Sequence, residues 1–229
     1  MANIILVHGM NANEKSWFGV PDFLMSEHHF VVAISLPGHD KPFGMPGDPN
    51  IGMSDYIARI EEFFPEGGEE VVLIGHSMGG QVISHVAANF PHRIDRLIYV
   101  AGMLPQDGES ANDIKKASNS SPLNSALQMA PYLIRHRNVF SSQPENPLNE
   151  AFKLPDVTDG DRLEIFNAMK RFYVVCTRDQ VLPAPHQKAM TDAADLKSDR
   201  IVKIASDHIP QKSQASDLHE ALRVFIAAT

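Results

Sequence analysis

A serine stands with a glycine two residues away on each side in Gly75-His76-Ser77-Met78-Gly79. Ahead of it runs an apolar, β-branched stretch, Val71-Val72-Leu73-Ile74. Behind it comes a helical pattern with Val82, Ile83, Val86 and Ala87 on one side. This order reads as strand, sharp turn and helix, with the serine at the apex. A reversal without a loop forces the apex residue into a strained conformation, so the flanking positions must be small. Gly75 and Gly79 supply that room. The strain lifts the Ser77 hydroxyl clear of the backbone at a helix N-terminus, where free N–H groups can face a developing oxyanion. The Gly-x-Gly-x-x-Gly spacing of a dinucleotide-binding turn is absent.

A serine hydroxyl attacks only when a base takes its proton, and the base needs an acid to orient it. In a parallel sheet such groups come from loops at the carboxyl ends of strands. Among the 11 histidines, His208 meets this criterion. It follows Ile201-Val202-Lys203-Ile204 in the loop Ala205-Ser206-Asp207-His208-Ile209-Pro210. Asp179 meets it as the acid, in Thr177-Arg178-Asp179-Gln180 after Phe172-Tyr173-Val174-Val175-Cys176. Asp207 neighbours His208, but adjacent side chains diverge. His8-Gly9-Met10 follows the first strand run. The Met10 N–H and the Met78 N–H are therefore the expected oxyanion donors, with His8 structural behind them and His76 supporting the site. The other histidines have no paired ligand spacing, and neither His-Glu-x-x-His nor Cys-x-x-Cys occurs, so no metal is expected.

These residues need a scaffold. Strands are expected at Ile4 to Val7, Phe30 to Ile34, Glu70 to Ile74, Leu97 to Val100, Phe172 to Cys176 and Ile201 to Ile204. Near-continuous apolar runs suit parallel strands buried on both faces. Helical stripes lie between and after them, Ile57, Ile60 and Phe64, then Leu218, Leu222 and Phe225. The repeated β-α order predicts a doubly wound sheet of about six mostly parallel strands. The order breaks after Gly102, where the chain turns to Ser, Asn and Pro with one helical pattern, Leu123, Leu127, Ala130 and Ile134. A core of 1–102 and 164–229 is expected, with a short helical lid inserted at 103–163.

The 229 residues suffice for a single core. A net charge of −8 argues against a general phosphate-backbone binder, so no nucleic-acid partner is expected. No apolar run has membrane-spanning length. The lone Cys176 excludes an intrachain disulfide and suits a reducing compartment. No basic leader precedes the first strand, and a cytoplasmic location is expected.

Leu6-Val7-His8-Gly9, Trp17, Gly75 to Gly80, Val175-Cys176-Thr177-Arg178-Asp179 and Asp207-His208 together resemble the α/β-hydrolase superfamily. Within it they resemble the plant-type methylesterases and hydroxynitrile lyases with their bacterial esterase relatives. The resemblance implies an α/β-hydrolase fold with a cap after the strand ending near Val100. It also implies Ser77 as nucleophile, His208 as base and Asp179 as orienting acid. Three departures matter. Asn11-Ala12-Asn13 stands where plant members carry Cys-His-Gly, and the lid is shorter than is usual there. The lysine and threonine of the lyases are replaced by Ile209 and Gly9. The favoured reading is a serine carboxylic-ester hydrolase without cofactor. It would act on small to medium apolar esters through an acyl-enzyme, and Asn11, Met103, Met129, Tyr132 and Val181 are assigned to its substrate pocket. Two alternatives stand beside it, a hydroxynitrile lyase-like or other cofactor-free proton-transfer enzyme using the same Ser-His pair, and a ligand-sensing module. Relatives are often dimers, and a homodimer is left open.

Overall fold

The computed structural model describes residues 1–156, 158 and 160–228. Six parallel strands form one sheet in the order β2-β1-β3-β4-β5-β6. They are β1 (Asn3–Val7), β2 (Phe30–Ile34), β3 (Val71–His76), β4 (Ile94–Val100), β5 (Lys170–Cys176) and β6 (Ile201–Ile204). Helices α1 (Val20–Ser26), α2 (Met53–Glu61) and α3 (Gly79–Asn89) follow β1, β2 and β3. Helices α4 (Ala111–Ala117), α5 (Pro122–Arg135), α6 (Asn146–Asn149) and α7 (Arg162–Ala168) lie between β4 and β5. Helix α8 (Ala184–Ala193) follows β5, and α9 (Pro210–Ser213) and α10 (Ala215–Ala227) follow β6.

Alternate strand residues point to opposite faces, and the core divides accordingly. Ile5, Val7, Leu73, Leu97, Tyr99, Tyr173 and Val175 pack with Met53, Tyr56 and Ile60 of α2 and Val82, Ile83 and Val86 of α3. Ile4, Leu6, Val72, Ile74, Ile98, Val100 and Val174 pack with Val20 and Leu24 of α1 and Leu218, Leu222 and Phe225 of α10. A sheet covered on both faces leaves the carboxyl ends of its strands as the places for chemistry.

The structure differs from the sequence reading at several edges. β3 begins at Val71, not Glu70, and runs on to His76. β4 begins at Ile94 and so includes Asp95 and Arg96. Arg96 is buried there because Nη1 donates to the carbonyls of Phe225, Ile226 and Ala228 at 2.7, 3.1 and 2.7 Å. The buried face of α2 is Met53, Tyr56 and Ile60. Phe64 lies beyond that helix, with its ring edge-on to Phe90.

No strand occurs between β4 and β5 among the described residues. Single bridges, Ala12 with Phe140 and Pro42 with Ser141, tie this segment to loops of the core. Val157 and Asp159, inside the expected lid, lie outside the described residues. Helix α7 crosses the 163/164 boundary, and its Phe166 packs into the core. On α5 the apolar stripe faces solvent, with Leu123, Leu127 and Ile134 66%, 63% and 80% exposed. The opposite face, with Gln128, Met129, Tyr132 and Leu133, is turned inward.

Candidate active site

Ser77 sits between β3 and α3 with φ of 54°. A left-handed conformation at a non-glycine residue costs on the order of 1–3 kcal/mol and needs support. Here the Ser77 N–H donates to Val100 O at 3.2 Å, and Ser77 O accepts from Met103 N–H at 2.8 Å. The glycines meet their expected purpose. A Cβ on Gly75 would come within 2.5 Å of Gly79 O, and one on Gly79 within 2.4 Å of Val7 O. Gly9 belongs to the same packing, since a Cβ there would lie 2.8 Å from the Ser77 Cβ.

The structure brings Ser77, His208 and Asp179 together. Ser77 Oγ lies 3.0 Å from His208 Nε2. His208 Nδ1–H donates to Asp179 Oδ2 at 2.7 Å. All three are at most 5% exposed. Asp179 Oδ1 accepts the N–H groups of Val181 and Leu182 at 2.8 and 2.9 Å. Oδ2 also receives Gln187 Nε2 at 3.2 Å. These donors fix the buried carboxylate in place. Asp207 is engaged elsewhere, accepting from Tyr132 Oη at 2.6 Å and from the Ile209 N–H at 3.0 Å.

Histidines hold the loops around this row. His76 Nε2–H donates to His208 O at 2.7 Å. Burial, and then the neighbouring His208, lower its pKa to about 3, so it stays neutral. His8 accepts from the Leu36 N–H on Nε2 at 3.1 Å, so Nδ1–H donates to Gly9 O at 2.8 Å. Burial lowers its pKa well below the ordinary histidine value. His39, bland in sequence, donates from Nδ1 to Ala12 O at 2.8 Å and accepts from Tyr56 Oη at 2.8 Å. Burial lowers its pKa to about 4. A neutral imidazole makes such a brace without placing charge beside the reaction.

The Met10 and Met78 N–H groups have no protein acceptor among the described residues. Met78 opens α3, and Met10 lines the site beside Ser77. The next residue, Asn11, has φ of 54° and donates its N–H to Gln143 Oε1 at 2.9 Å.

Two cavities open on Ser77 and His208. The smaller, about 30 Å³, is bordered by His76, Phe18, Phe140, Ile209 and Gln211. The larger, about 1110 Å³, includes Met10, Asn11, Met103, Met129 and Val181 in its wall. Tyr132, expected in the pocket, lines neither cavity. Its hydroxyl is drawn to Asp207, and Leu133 lines the larger cavity instead. The Met78 side chain is also absent from both walls and is packed in the core.

Three glutamines escaped the sequence reading. Gln187 of α8 holds Asp179. Gln143 holds the Met10-Asn11 loop. Gln128 of α5 donates from Nε2 to Arg178 O at 2.7 Å and accepts the Gln180 N–H at 2.9 Å. It also accepts the His208 N–H at 3.4 Å. The i, i+4 spacing that puts Gln128 on the same helix face as Tyr132 was the only available signal for it, and glutamine at a helical position does not stand out.

Residues 4–221 match the Alpha/beta hydrolase family. The chain is 27% identical to methyl jasmonate esterase 1 of Vitis vinifera over 98% of its own length and 96% of that protein. It is 24% identical to salicylic acid-binding protein 2 of Nicotiana tabacum over 96% of each. Among solved structures, a pyrethroid hydrolase from Sphingobium faniae JZ-2 superposes with a TM-score of 0.76 at 23% identity, covering 99% of this chain and 98% of that one. Polyneuridine aldehyde esterase superposes with a TM-score of 0.77 at 21% identity, covering 97% and 98%.

Proposed function

Since the chain belongs to the alpha/beta hydrolase family, with curated relatives in its methylesterase branch, and is a carboxylesterase-type hydrolase, we propose that it cleaves small to medium apolar esters through an acyl-enzyme on Ser77. The observation that carries this reading is the unbroken hydrogen-bonded row Ser77–His208–Asp179. As Ser77 Oγ attacks the ester carbonyl carbon, His208 Nε2 takes the hydroxyl proton. The carbonyl π pair moves onto oxygen, which faces the Met10 and Met78 N–H groups. A donor placed for the oxyanion is worth about 3 kcal/mol. Collapse of the intermediate expels the alkoxide, and His208 Nε2–H protonates it. Water then repeats the sequence, giving its proton to His208 and its oxygen to the acyl carbon, and Ser77 leaves with the proton. Asp179 stabilises the imidazolium throughout and transfers no proton.

The unequal cavities support a division of the substrate at Ser77. One half is about the size of a methoxy group and the other is much larger. The segment 103–163 supplies much of the larger wall and is the element that would set substrate choice. Ile209, where the lyases place a lysine, is apolar and packs on Val139 and Phe140. Leaving cyanide has no cation to meet there, which favours hydrolysis.

Ser77→Ala tests the reading. It should lower kcat on a p-nitrophenyl ester by about 10⁴ to 10⁶, and mass spectrometry should detect a trapped acyl group in wild type alone. Activity within tenfold of wild type would sink the assignment. Mandelonitrile cleavage at a rate matching ester cleavage would favour the lyase instead.

A further inference from the structure

Part of the larger cavity's wall has a chemistry that the apolar-ester reading leaves unused. Beside the apolar Met10, Met103, Met129, Leu133, Phe140 and Leu182 the wall also includes Asn112, Lys115, Lys116 and Asn119. Asn112, Lys115 and Lys116 fall at i, i+3 and i+4 of α4, on one side of the helix, and Asn119 follows just past its end. No aspartate or glutamate lines the cavity among the described residues. Neither lysine forms an ion pair or a side-chain hydrogen bond among them. The one carboxylate on the helix, Asp113, accepts from Ser110 N–H and Oγ at 3.0 and 2.6 Å, and Lys116 acts on it only as the weakest of its electrostatic neighbours, without an ion pair. A basic last turn suits the helix dipole whichever way it points. The dipole does not explain why both lysines line the same cavity.

The chain carries a net charge of −8. Its surface as a whole therefore repels anions, and an anionic ligand needs a local reversal of sign to approach. The pair Lys115 and Lys116 in the wall of the cavity that also reaches Ser77 is such a reversal. We propose that the preferred substrates are esters whose larger half has an apolar body ending in a carboxylate, and that Lys115 and Lys116 read that carboxylate. A monoalkyl ester of an α,ω-dicarboxylic acid is the simplest member of this class. The proposal rests on the esterase reading, and the two can fail separately.

The test compares monomethyl suberate with its neutral ω-carboxamide, methyl suberamate. The two have nearly the same shape, and the methanol half matches the smaller cavity. Initial rates by pH-stat should favour the carboxylate about tenfold in kcat/KM, as expected for two solvent-exposed lysines. The difference should reside in KM, and added salt should shrink it. Lys115→Gln/Lys116→Gln should bring the ratio to about one. Lys188→Gln, which removes a lysine from α8 outside the cavity wall, should keep the wild-type ratio. If the double variant fails to fold by circular dichroism, the salt dependence of the wild-type ratio decides. Equal kcat/KM for both esters, with hydrolysis dependent on Ser77, would overturn the charge reading and leave the esterase standing. If wild type hydrolyses neither, the esterase reading falls. Calorimetry on Ser77→Ala then reads the charge site alone. Tighter binding of monomethyl suberate than of methyl suberamate supports it, and equal binding overturns it.

Discussion

Replacing Asp179 by asparagine tests the role of the acid, because the surroundings allow the new amide only one orientation. Oδ1 receives two backbone donors, Val181 and Leu182 N–H, at 2.8 and 2.9 Å. An NH₂ group placed there would face both, so the amide oxygen keeps that position. The NH₂ group then takes the Oδ2 position, 2.7 Å from His208 Nδ1 and 3.2 Å from Gln187 Nε2. Gln187 cannot turn to receive it. Its Oε1 already accepts the Cys176 N–H at 3.0 Å, and its Nε2 donates to Leu182 O at 2.6 Å. The remaining relief is for His208 to carry its proton on Nε2 and accept the amide on Nδ1. Nε2, 3.0 Å from Ser77 Oγ, then has no lone pair for the serine proton. A trapped wrong tautomer lowers kcat about 10⁴-fold, or about 5 kcal/mol. Loss of one neutral hydrogen bond would remove only about 1 kcal/mol, roughly a fivefold change. The size of the effect therefore separates the two causes. Initial rates on p-nitrophenyl butyrate give kcat, and imidazole ¹⁵N shifts give the tautomer. A kcat within tenfold of wild type, or an Nδ1–H retained in the variant, would refute the reasoning. So would a larger loss from Asp207→Asn, whose carboxylate serves Tyr132, Ser213 and the Ile209 N–H.

Acid should destabilise the fold through its buried neutral histidines. His39 and His76 have pKa values lowered to about 4 and about 3, and His8 is also lowered, chiefly by burial. Each unfolded histidine takes up a proton near pH 6.5 while the folded one does not. Their stabilisation is thus complete above that pH and declines below it by about 1.4 kcal/mol per pH unit for each group, until the folded values are reached. Thermal melts from pH 7 to 5 check this, and a flat Tm would contradict it. Gln143→Ala removes the acceptor of the Asn11 N–H and should lower kcat about fivefold with KM within twofold. A raised KM at unchanged kcat would assign Gln143 to substrate contact. Leu133→Ala should shift chain-length preference in a series of alkyl esters. Tyr132→Phe should leave preference alone and cost about 1 kcal/mol in a thermal melt, and the reverse pattern would restore Tyr132 to the pocket.

The parts of this site that sequence revealed are those whose physics restricts residue type at a fixed offset. Ser77 was legible because Gly75 and Gly79 are needed within 2.5 Å of backbone oxygens. His208 and Asp179 were legible because apolar strand runs end just before them. Periodicity showed that α5 has an apolar face but not whether anything covers it, and Leu127 and Ile134 face solvent. The start of β4 was hidden because Arg96 interrupts the apolar pattern, and its burial depends on carbonyls about 130 residues away in sequence. Gln128 and Gln143 were hidden for the same reason, since their partners come from remote loops. Gln187 has partners close by in sequence, but glutamine is acceptable on any helix surface and does not stand out.

Those glutamines determine how the segment between β4 and β5 bears on the reaction. Its helices contribute none of Ser77, His208 and Asp179, yet its side chains reach the loops that hold them. Gln128 joins α5 to the backbone of Arg178, Gln180 and His208. Gln143 joins the segment to Asn11, next to the Met10 N–H. Each such bond adds only about 1 kcal/mol, but all act on loops whose placement must hold within a fraction of an ångström. The same segment carries Lys115, Lys116, Met129 and Leu133 along the cavity wall. A substrate body that packs on this wall would therefore press on the element that braces the loops of Asp179, His208 and Met10. Binding energy gained far from the ester can then appear as order at Ser77. Packing on Met129 and Leu133 should then make kcat, and not KM alone, vary with the length of the larger half of the ester, whereas the exposed lysines act through KM.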